Sequence, residues 1–204
     1  MNNFEFAIKQ YLGEERLKKL QNVFIGIAGA GGLGSNCACN LVRTGAKKLR
    51  IIDFDLVQYS NLNRQFYFYE QVGKPKVLAL KHNLLKINPD AEIHAIIERI
   101  TEENAFELFK DCDIVIEAFD DPFCKAMLAN IISRTGKLFI CATGIAGWGD
   151  SDKIVVREIN PLFYVIGDLK TEVSETIPPV SPRVNIASAK QADVAIEYIF
   201  NKYE

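Results

Sequence analysis

Apolar positions along the chain follow two alternating periods. Between residues 3 and 21, Phe4, Ile8, Tyr11, Leu12, Leu17 and Leu20 recur mostly at spacings of three to five, which predicts a helix that Gly13 breaks or kinks. Residues 22–28 form a short apolar run suited to a fully buried strand, and Ser35 to Thr44 suits a helix. The pairing then repeats. Strands are predicted at Leu49 to Asp53, Ala91 to Arg99, 113–119 and Lys137 to Thr143. The helices between them run from about Lys74 to Asn88, with Pro75 near the first turn, from Glu103 to Lys110, and over 122–135. Such alternation predicts an α/β protein with helices on both faces of a mostly parallel sheet. Lys153 to Ile159 and Phe163 to Gly167 read as two added antiparallel strands. The polar, proline-containing stretch from Asp168 to Pro182 has no period and reads as a mobile loop, and a last helix runs to about Phe200.

The first strand breaks into Gly29-Ala30-Gly31-Gly32-Leu33-Gly34, a G-x-G-x-x-G turn that opens the next helix. Its glycines suit a tight turn, close approach of a phosphate and close packing of helix on strand. The free N–H groups of the following helix suit an anion. The second strand ends in Asp53, about 20 residues on, where a carboxylate accepts hydrogen bonds from ribose hydroxyls. Together these predict a Rossmann-like nucleotide fold. An NAD-dependent oxidoreductase would share both features. It would leave unexplained the loop Ser60-Asn61-Leu62-Asn63-Arg64-Gln65 and the helix start Gly73-Lys74-Pro75-Lys76. An arginine beside a nucleotide site can grip phosphate oxygens in a fork, and Lys76 can reach the same polyphosphate. Read singly, either cation could be a surface charge; framed by the glycine turn and Asp53, they suggest a triphosphate.

The strand 113–119 runs into Asp120-Asp121-Pro122. Strand C-termini line the ligand crevice of open α/β sheets, so Asp120 stands where a catalytic group belongs, with a helix N-cap as its alternative role. Asp121, directly before Pro122, suits the cap better.

Composition narrows the classes. At 204 residues, 49% hydrophobic and 25% charged, the chain reads as one soluble domain spanning residues 1–204. A formal charge of −2 gives no electrostatic reason to expect nucleic acid, and the basic cluster Lys47-Lys48-x-Arg50 reads as a solvated loop. No run approaches the roughly 20 apolar residues of a spanning helix, and no signal-peptide pattern opens the chain, so a cytoplasmic, membrane-free protein is expected. Five cysteines without a CxxC pair, and two isolated histidines, indicate neither a disulfide framework nor a structural zinc site. Most of the thiols suit buried small hydrophobes.

The ordered set Gly29-Ala30-Gly31-Gly32-Leu33-Gly34-Ser35, Asp53-Phe54-Asp55, Ser60-Asn61-Leu62-Asn63-Arg64-Gln65 and Gly73-Lys74-Pro75-Lys76 resembles the ThiF/MoeB/HesA family, the adenylating enzymes related to ubiquitin-activating enzyme. The resemblance covers nearly the whole chain. It implies ATP-dependent adenylation of the C-terminal glycine of a small ubiquitin-like sulfur carrier ending in Gly-Gly, with Mg2+ and a homodimer. The implied catalytic residues are Arg64, Lys76 and Asp120, the last on the Mg2+ side. Gly29, Gly31, Gly32, Gly34, Asp53, Asp55, Asn61 and Gln65 are implied to bind the nucleotide. Residues 168–183 match the family's crossover loop over the carrier tail. Gly144-x-Ala146-Gly147, Gly167-Asp168-Leu169 and Ser181-Pro182-Arg183-Val184 resemble the short ThiF form linked to thiamine biosynthesis. A non-catalytic partner-binding relative is the remaining alternative.

The chain departs from the family pattern in three places. It has no paired CxxC motifs, no cysteine in 168–183, and only Arg16 in the N-terminal helix region in place of an arginine pattern reaching a partner's site. The chemistry expected is attack by a terminal carboxylate, which with a pKa of about 3.3–3.7 is already ionised and needs no general base. A site of cations and N–H groups answers the harder problem of bringing an anion to a polyanion. Without a loop thiol, the reaction should stop at the acyl-adenylate and hand it to a separate sulfur donor. Cys141, near a strand end but within the apolar run Leu138 to Ala142, is expected to be inert.

Overall fold

The computed structural model describes residues 1–171 and 173–201; Glu172 of the expected crossover loop and Lys202, Tyr203 and Glu204 lie outside the described residues. Gly13, at φ 82° and ψ 161°, splits the N-terminal helix into α1 (Asn3–Leu12) and α2 (Glu14–Asn22). The chain then continues through β1 (Phe24–Ala28), α3 (Gly32–Thr44), β2 (Lys48–Ile52), α4 (Lys76–Leu85) and β3 (Glu92–Ile96). The second half comprises α5 (Ala105–Phe109), β4 (Ile114–Glu117), α6 (Pro122–Ile132), β5 (Leu138–Ala142), β6 (Val155–Asn160), β7 (Phe163–Gly167) and α7 (Ser181–Asn201).

The strands make one seven-stranded sheet in the order β3-β2-β1-β4-β5-β7-β6. Every pairing is parallel except β6 with β7. The two C-terminal strands are antiparallel to each other, as their pattern suggests, while β7 runs parallel beside β5, so β6 alone runs against the sheet. The chain reverses its direction of growth between β3 and β4. That switch places the C-terminal ends of β1 and β4 side by side and opens a crevice there.

Strand parity builds two cores. Ile25 and Ile27 of β1, Ile114 and Ile116 of β4, and Leu138 and Ile140 of β5 pack with α3, α4 and α7 on one face. Ala28, Val115 and Phe139, one residue out of step, pack with Phe109 of α5 and with Leu128 and Ile132 of α6 on the other. The basic cluster differs from the solvated loop expected. Lys48 opens β2, Lys47 reaches the buried Glu5 carboxylate at 3.0 Å, and Arg50 sits over the Phe24 ring and bonds Asp111 at 2.9 Å.

The stretch after β7 is tethered at both ends, unlike the free loop its composition suggests. Asp168 receives the N–H groups of Lys170 and Thr171 at 2.8 Å each and the Thr171 hydroxyl. Arg183, at the start of α7, donates to Asp168 at 2.6 Å and to the Gly149 carbonyl at 2.9 Å, with both side chains buried. Farther along, the Gly147 N–H bonds the Pro178 carbonyl at 3.0 Å. Sequence composition cannot show a clamp between residues fifteen apart, most of whose partners are backbone N–H and carbonyl groups.

Burial raises the Asp168 pKa, but the bonds from Thr171, Lys170 and Arg183 outweigh it and hold the carboxyl well below its ordinary range. The stability this confers is complete above the unfolded value of about 3.9 and is lost as pH falls toward the lower folded value. Arg183→Met leaves a buried carboxylate unpaired and is expected to cost about 3–5 kcal/mol in urea unfolding at pH 7. Much of that loss should disappear when unfolding is repeated on Arg183→Met combined with Asp168→Asn.

Candidate active site

A cleft of about 1000 Å³ opens at the C-terminal ends of β1, β2, β4 and β5. Gly29, Gly31, Gly32, Asp53, Asp55, Arg64, Gln65, Lys76 and Asp120 all line it. Residues far apart in the chain thus converge on one volume. Two of the residues singled out from sequence do not line it. Gly34 lies behind the wall, packed under the turn. Asn61 is buried, and its side-chain oxygen accepts the Gln58 N–H at 2.9 Å. Its carbonyl accepts the N–H of Arg64 and of Gln65, so Asn61 shapes the loop that presents those two side chains.

The turn after β1 is held from three sides. Gly29 adopts φ 104°, and a Cβ there would come within 2.8 Å of the Ala118 carbonyl oxygen on β4's exit. At Gly34 a Cβ would overlap the Gly29 carbonyl oxygen, so only glycine lets α3 dock this closely. The Asp53 carboxylate accepts the Ala30 N–H at 2.7 Å and the Asp55 N–H at 2.8 Å, joining the turn to the end of β2. A carboxylate has about four acceptor positions, so capacity remains for ribose hydroxyls. No side chain caps α3 at Gly31, which leaves its first N–H groups open to an anion.

Three residues that sequence reasoning missed stitch the Arg64 loop onto this turn. Ser35 accepts the Phe66 N–H at 3.0 Å and donates to the Gly31 carbonyl at 2.6 Å. Asn36 donates to the Gly32 and Arg64 carbonyls at 2.7 and 2.8 Å. Tyr67 donates to the Ala30 carbonyl at 2.7 Å; burial first, then Asp53 and Asp55, pushes its pKa well above the ordinary phenol value, so it remains a donor. Polar side chains directly after the third glycine, facing inward from a first helical turn, were the available signal.

The cations are prearranged. Lys76 is buried, with its ammonium 2.7 Å from Asp55. Arg64 engages one terminal nitrogen with Asn63 and the Ser60 carbonyl at 2.8 and 3.1 Å. Partial burial lowers the Arg64 pKa, and the Asp120 charge opposes that fall. Asp121 caps α6 through the Cys124 N–H at 2.9 Å, which leaves the exposed Asp120 carboxylate without that duty. Beneath it, the fully buried Glu117 accepts the Phe119 N–H at 2.6 Å and meets Lys125 at 2.9 and 3.2 Å. Lys125 also bonds the Ala142 carbonyl at 2.8 Å, and burial drives the Glu117 pKa up against the pull of that lysine. This pair, eight residues apart, was also missed; an acid inside the apolar run Ile114 to Ala118 was its trace.

Among the described residues, Cys124 is the thiol that lines the cleft. Cys141, expected nearest the crevice, faces the α5–α6 side of the sheet instead, where burial pushes its pKa up to about 12. No three His, Cys, Asp or Glu side chains gather as a self-sufficient metal site among the described residues. A cation here would need phosphate oxygens beside Asp120, the usual manner of Mg2+.

A family model described as ThiF family matches residues 5–198. The chain belongs to the ThiF family. It is 34% identical over 174 residues to tRNA threonylcarbamoyladenosine dehydratase 2 of Saccharomyces cerevisiae, covering 81% of this chain and 38% of that protein. It is 34% identical over 140 residues to the sulfur carrier protein ThiS adenylyltransferase of Bacillus subtilis, covering 67% and 41%. The chain therefore spans about two fifths of the length of these two relatives. Among solved structures, the E. coli tRNA N6-threonylcarbamoyladenosine dehydratase TcdA in complex with AMP superposes with a TM-score of 0.88 at 21% identity, covering 97% of this chain and 94% of that one. At that identity the match is one of fold.

Asp53 has a role in this ThiF-family fold that is separable from any ligand. Asp53→Ala removes the acceptor for two backbone N–H groups and is expected to cost about 1.5–3 kcal/mol, the usual worth of bonds to a charged group. Hydrogen exchange would show the Ala30 and Asp55 amides losing protection more than those of β1. Unchanged stability and protection would show that Asp53 does not hold the turn.

Proposed function

We propose that this chain is an ATP-dependent adenylyltransferase acting on the C-terminal glycine carboxylate of a small ubiquitin-like sulfur carrier of the ThiS type. The observation that carries the reading is the meeting, in one cleft, of an uncapped helix N-terminus, one cation from a loop and one from the first turn of α4, and a carboxylate not used as the α6 cap. That set suits a triphosphate and leaves a nicotinamide cofactor without a use for Arg64 and Lys76. The same phosphate grip argues against a non-catalytic relative.

In this reading the chain forms one adenylation domain. The α3 N–H groups and Arg64 hold the phosphates, and Lys76 turns from Asp55 toward them. Asp53 and Asp55 lie on the ribose side, with Gln65 beside Gly31. Asp120, together with phosphate oxygens, would hold Mg2+, which when bound offsets the phosphate charge. The carrier's carboxylate oxygen attacks the α-phosphorus. A carboxyl–phosphate bond forms, the bond from that phosphorus to the bridging oxygen breaks, and pyrophosphate leaves with the bond's electron pair. The products are acyl-adenylate and pyrophosphate. No cysteine stands in 168–183, so in this reading the sulfur of a separate donor attacks the acyl carbon, the acyl–phosphate bond breaks, and AMP leaves with its electron pair.

The name of the Bacillus relative and the short ThiF-like pattern support a ThiS carrier and a place in thiamine biosynthesis. The yeast relative's name raises a tRNA substrate. A net charge of −2 and a pI near 5.8 offer no general attraction for that polyanion and favour the protein carrier. A homodimer belongs to the same reading, with the exposed aromatic side chains of Tyr59, Phe68 and Tyr69 available for cover. Among the described residues no helix is long and apolar enough to cross a membrane. The unpaired cysteines agree with the reducing cytoplasm.

Two variants test the chemistry by ATP–pyrophosphate exchange with a ThiS-like carrier. Arg64→Ala should reduce exchange by at least about 100-fold with folding intact, and Arg64→Lys should be nearly as poor because an ammonium cannot form the planar fork. Near-normal exchange in both would remove the triphosphate assignment. Asp120→Asn should cut turnover strongly while changing stability by no more than about 0.5 kcal/mol, since Asp121 is the α6 cap. A large loss of stability with specific activity retained would give Asp120 a structural role instead.

A further inference from the structure

We propose that Arg99, laid on the ring of Phe54, is the base-selecting residue of the cleft and closes a purine-sized slot beyond Asp53. The proposal rests on the nucleotide reading above and names what that reading leaves open, the residues that meet the base.

With phosphates at the α3 N-terminus and the ribose at Asp53, the nucleotide crosses from the end of β1 to the end of β2. Its base then continues toward the exits of β2 and β3. There the cleft is lined by the buried Ile52 and Ile100, with Phe119 contributed from the β4 exit. Apolar walls of this kind suit a flat aromatic ring and offer little to a phosphate. Phe54, half-exposed between the two acids Asp53 and Asp55, also lines the cleft.

The Arg99 guanidinium lies 3.8 Å from the Phe54 ring centroid, a face contact. Among the described residues the guanidinium makes no hydrogen bond or ion pair, so the ring is what positions it. Burial raises the pKa of Cys124 at the start of α6, and the Arg99 charge opposes that rise, which sets the guanidinium within electrostatic reach of the α6 side of the slot. A guanidinium has two faces and five N–H donors. With one face on Phe54, the other face and the donors are available to a base. Stacking strength grows with ring area, so a purine gains more than a pyrimidine.

Isothermal titration of the whole chain with ATP, CTP and inorganic tripolyphosphate separates the possibilities. Arg99→Ala should weaken ATP about tenfold, between the exposed and desolvated limits of a cation–π contact, and should narrow the preference for ATP over CTP. Tripolyphosphate affinity should stay unchanged. Arg99→Lys keeps the charge but lacks the plane and should not restore ATP binding. Phe54→Leu should act in the same direction, and the double variant should bind ATP about as well as the weaker single, because the two side chains act as a unit. Retained ATP affinity and ATP:CTP ratio in Arg99→Ala would overturn the proposal. So would a parallel loss of tripolyphosphate binding, which would make Arg99 a phosphate ligand. A wild-type chain that bound neither ATP nor tripolyphosphate would overturn the nucleotide reading itself.

Discussion

The peptide of Gly29 and the Cα of Gly34 approach so closely that no side chain fits between them, and the site is arranged around that contact. It lets α3 descend directly onto the sheet with its N-terminus at the switch between β1 and β4. Asp53 locks the same turn to β2, and the Ala118 N–H bonds the Ala28 carbonyl on the other side. The polar groups of the turn are therefore committed before any ligand arrives. What is left uncommitted is the set of α3 N–H groups facing the cleft. Preorganisation of this kind costs nothing at the moment of reaction, because the donors need not reorient.

Electrostatic balance shapes the surroundings. A site built for a polyanion would hold too many unpaired positive charges when empty. Here Lys76 is paired with Asp55, Arg64 is half-satisfied by its own loop, and Lys125 is pinned by Glu117. Breaking a buried pair is costly unless another partner of the same sign replaces the lost one. In the function proposed above, phosphate oxygens would meet that condition for Lys76. The fully buried Glu117 cannot offer Lys125 the same freedom, which marks that pair as structural support beneath the Asp120 turn.

Much of this was legible in the chain itself. Repeating strand and helix periods predicted the sheet, and the two off-step apolar sets in β1, β4 and β5 are the two cores. Proline after Asp121 pointed to the cap that the structure shows. What resisted reading depends on contacts without a local period. Glu117–Lys125, Asp168–Arg183 and Phe54–Arg99 are pairs brought together by topology. Asn61 was implied as a ligand by the family resemblance, yet a polar loop must also satisfy its own backbone, and its side-chain oxygen accepts the Gln58 N–H. Cys141 was expected to be inert, and its burial, which raises its pKa, agrees with that, although it does not face the crevice. Nearness to a strand end does not decide which face a side chain takes. Period two does, and it turns Cys141 to the side of Phe139 while Ala142 reaches the cleft.

The clamp at Asp168 and Arg183 stands beside the cleft. It joins the β7 exit, the glycine-containing stretch 144–150 and the start of α7, and it lines a separate cavity of about 750 Å³. Ala146, Lys170 and Thr171 line both that cavity and the larger cleft, so the two spaces abut there. Access to the cleft from this side passes Lys170 and Thr171, whose N–H groups the Asp168 carboxylate holds. Because Asp168 keeps its charge far into acid, the boundary does not soften across the neutral range. Asp168 and Asp53 thus share one device, a carboxylate that fixes its loop by accepting backbone N–H groups.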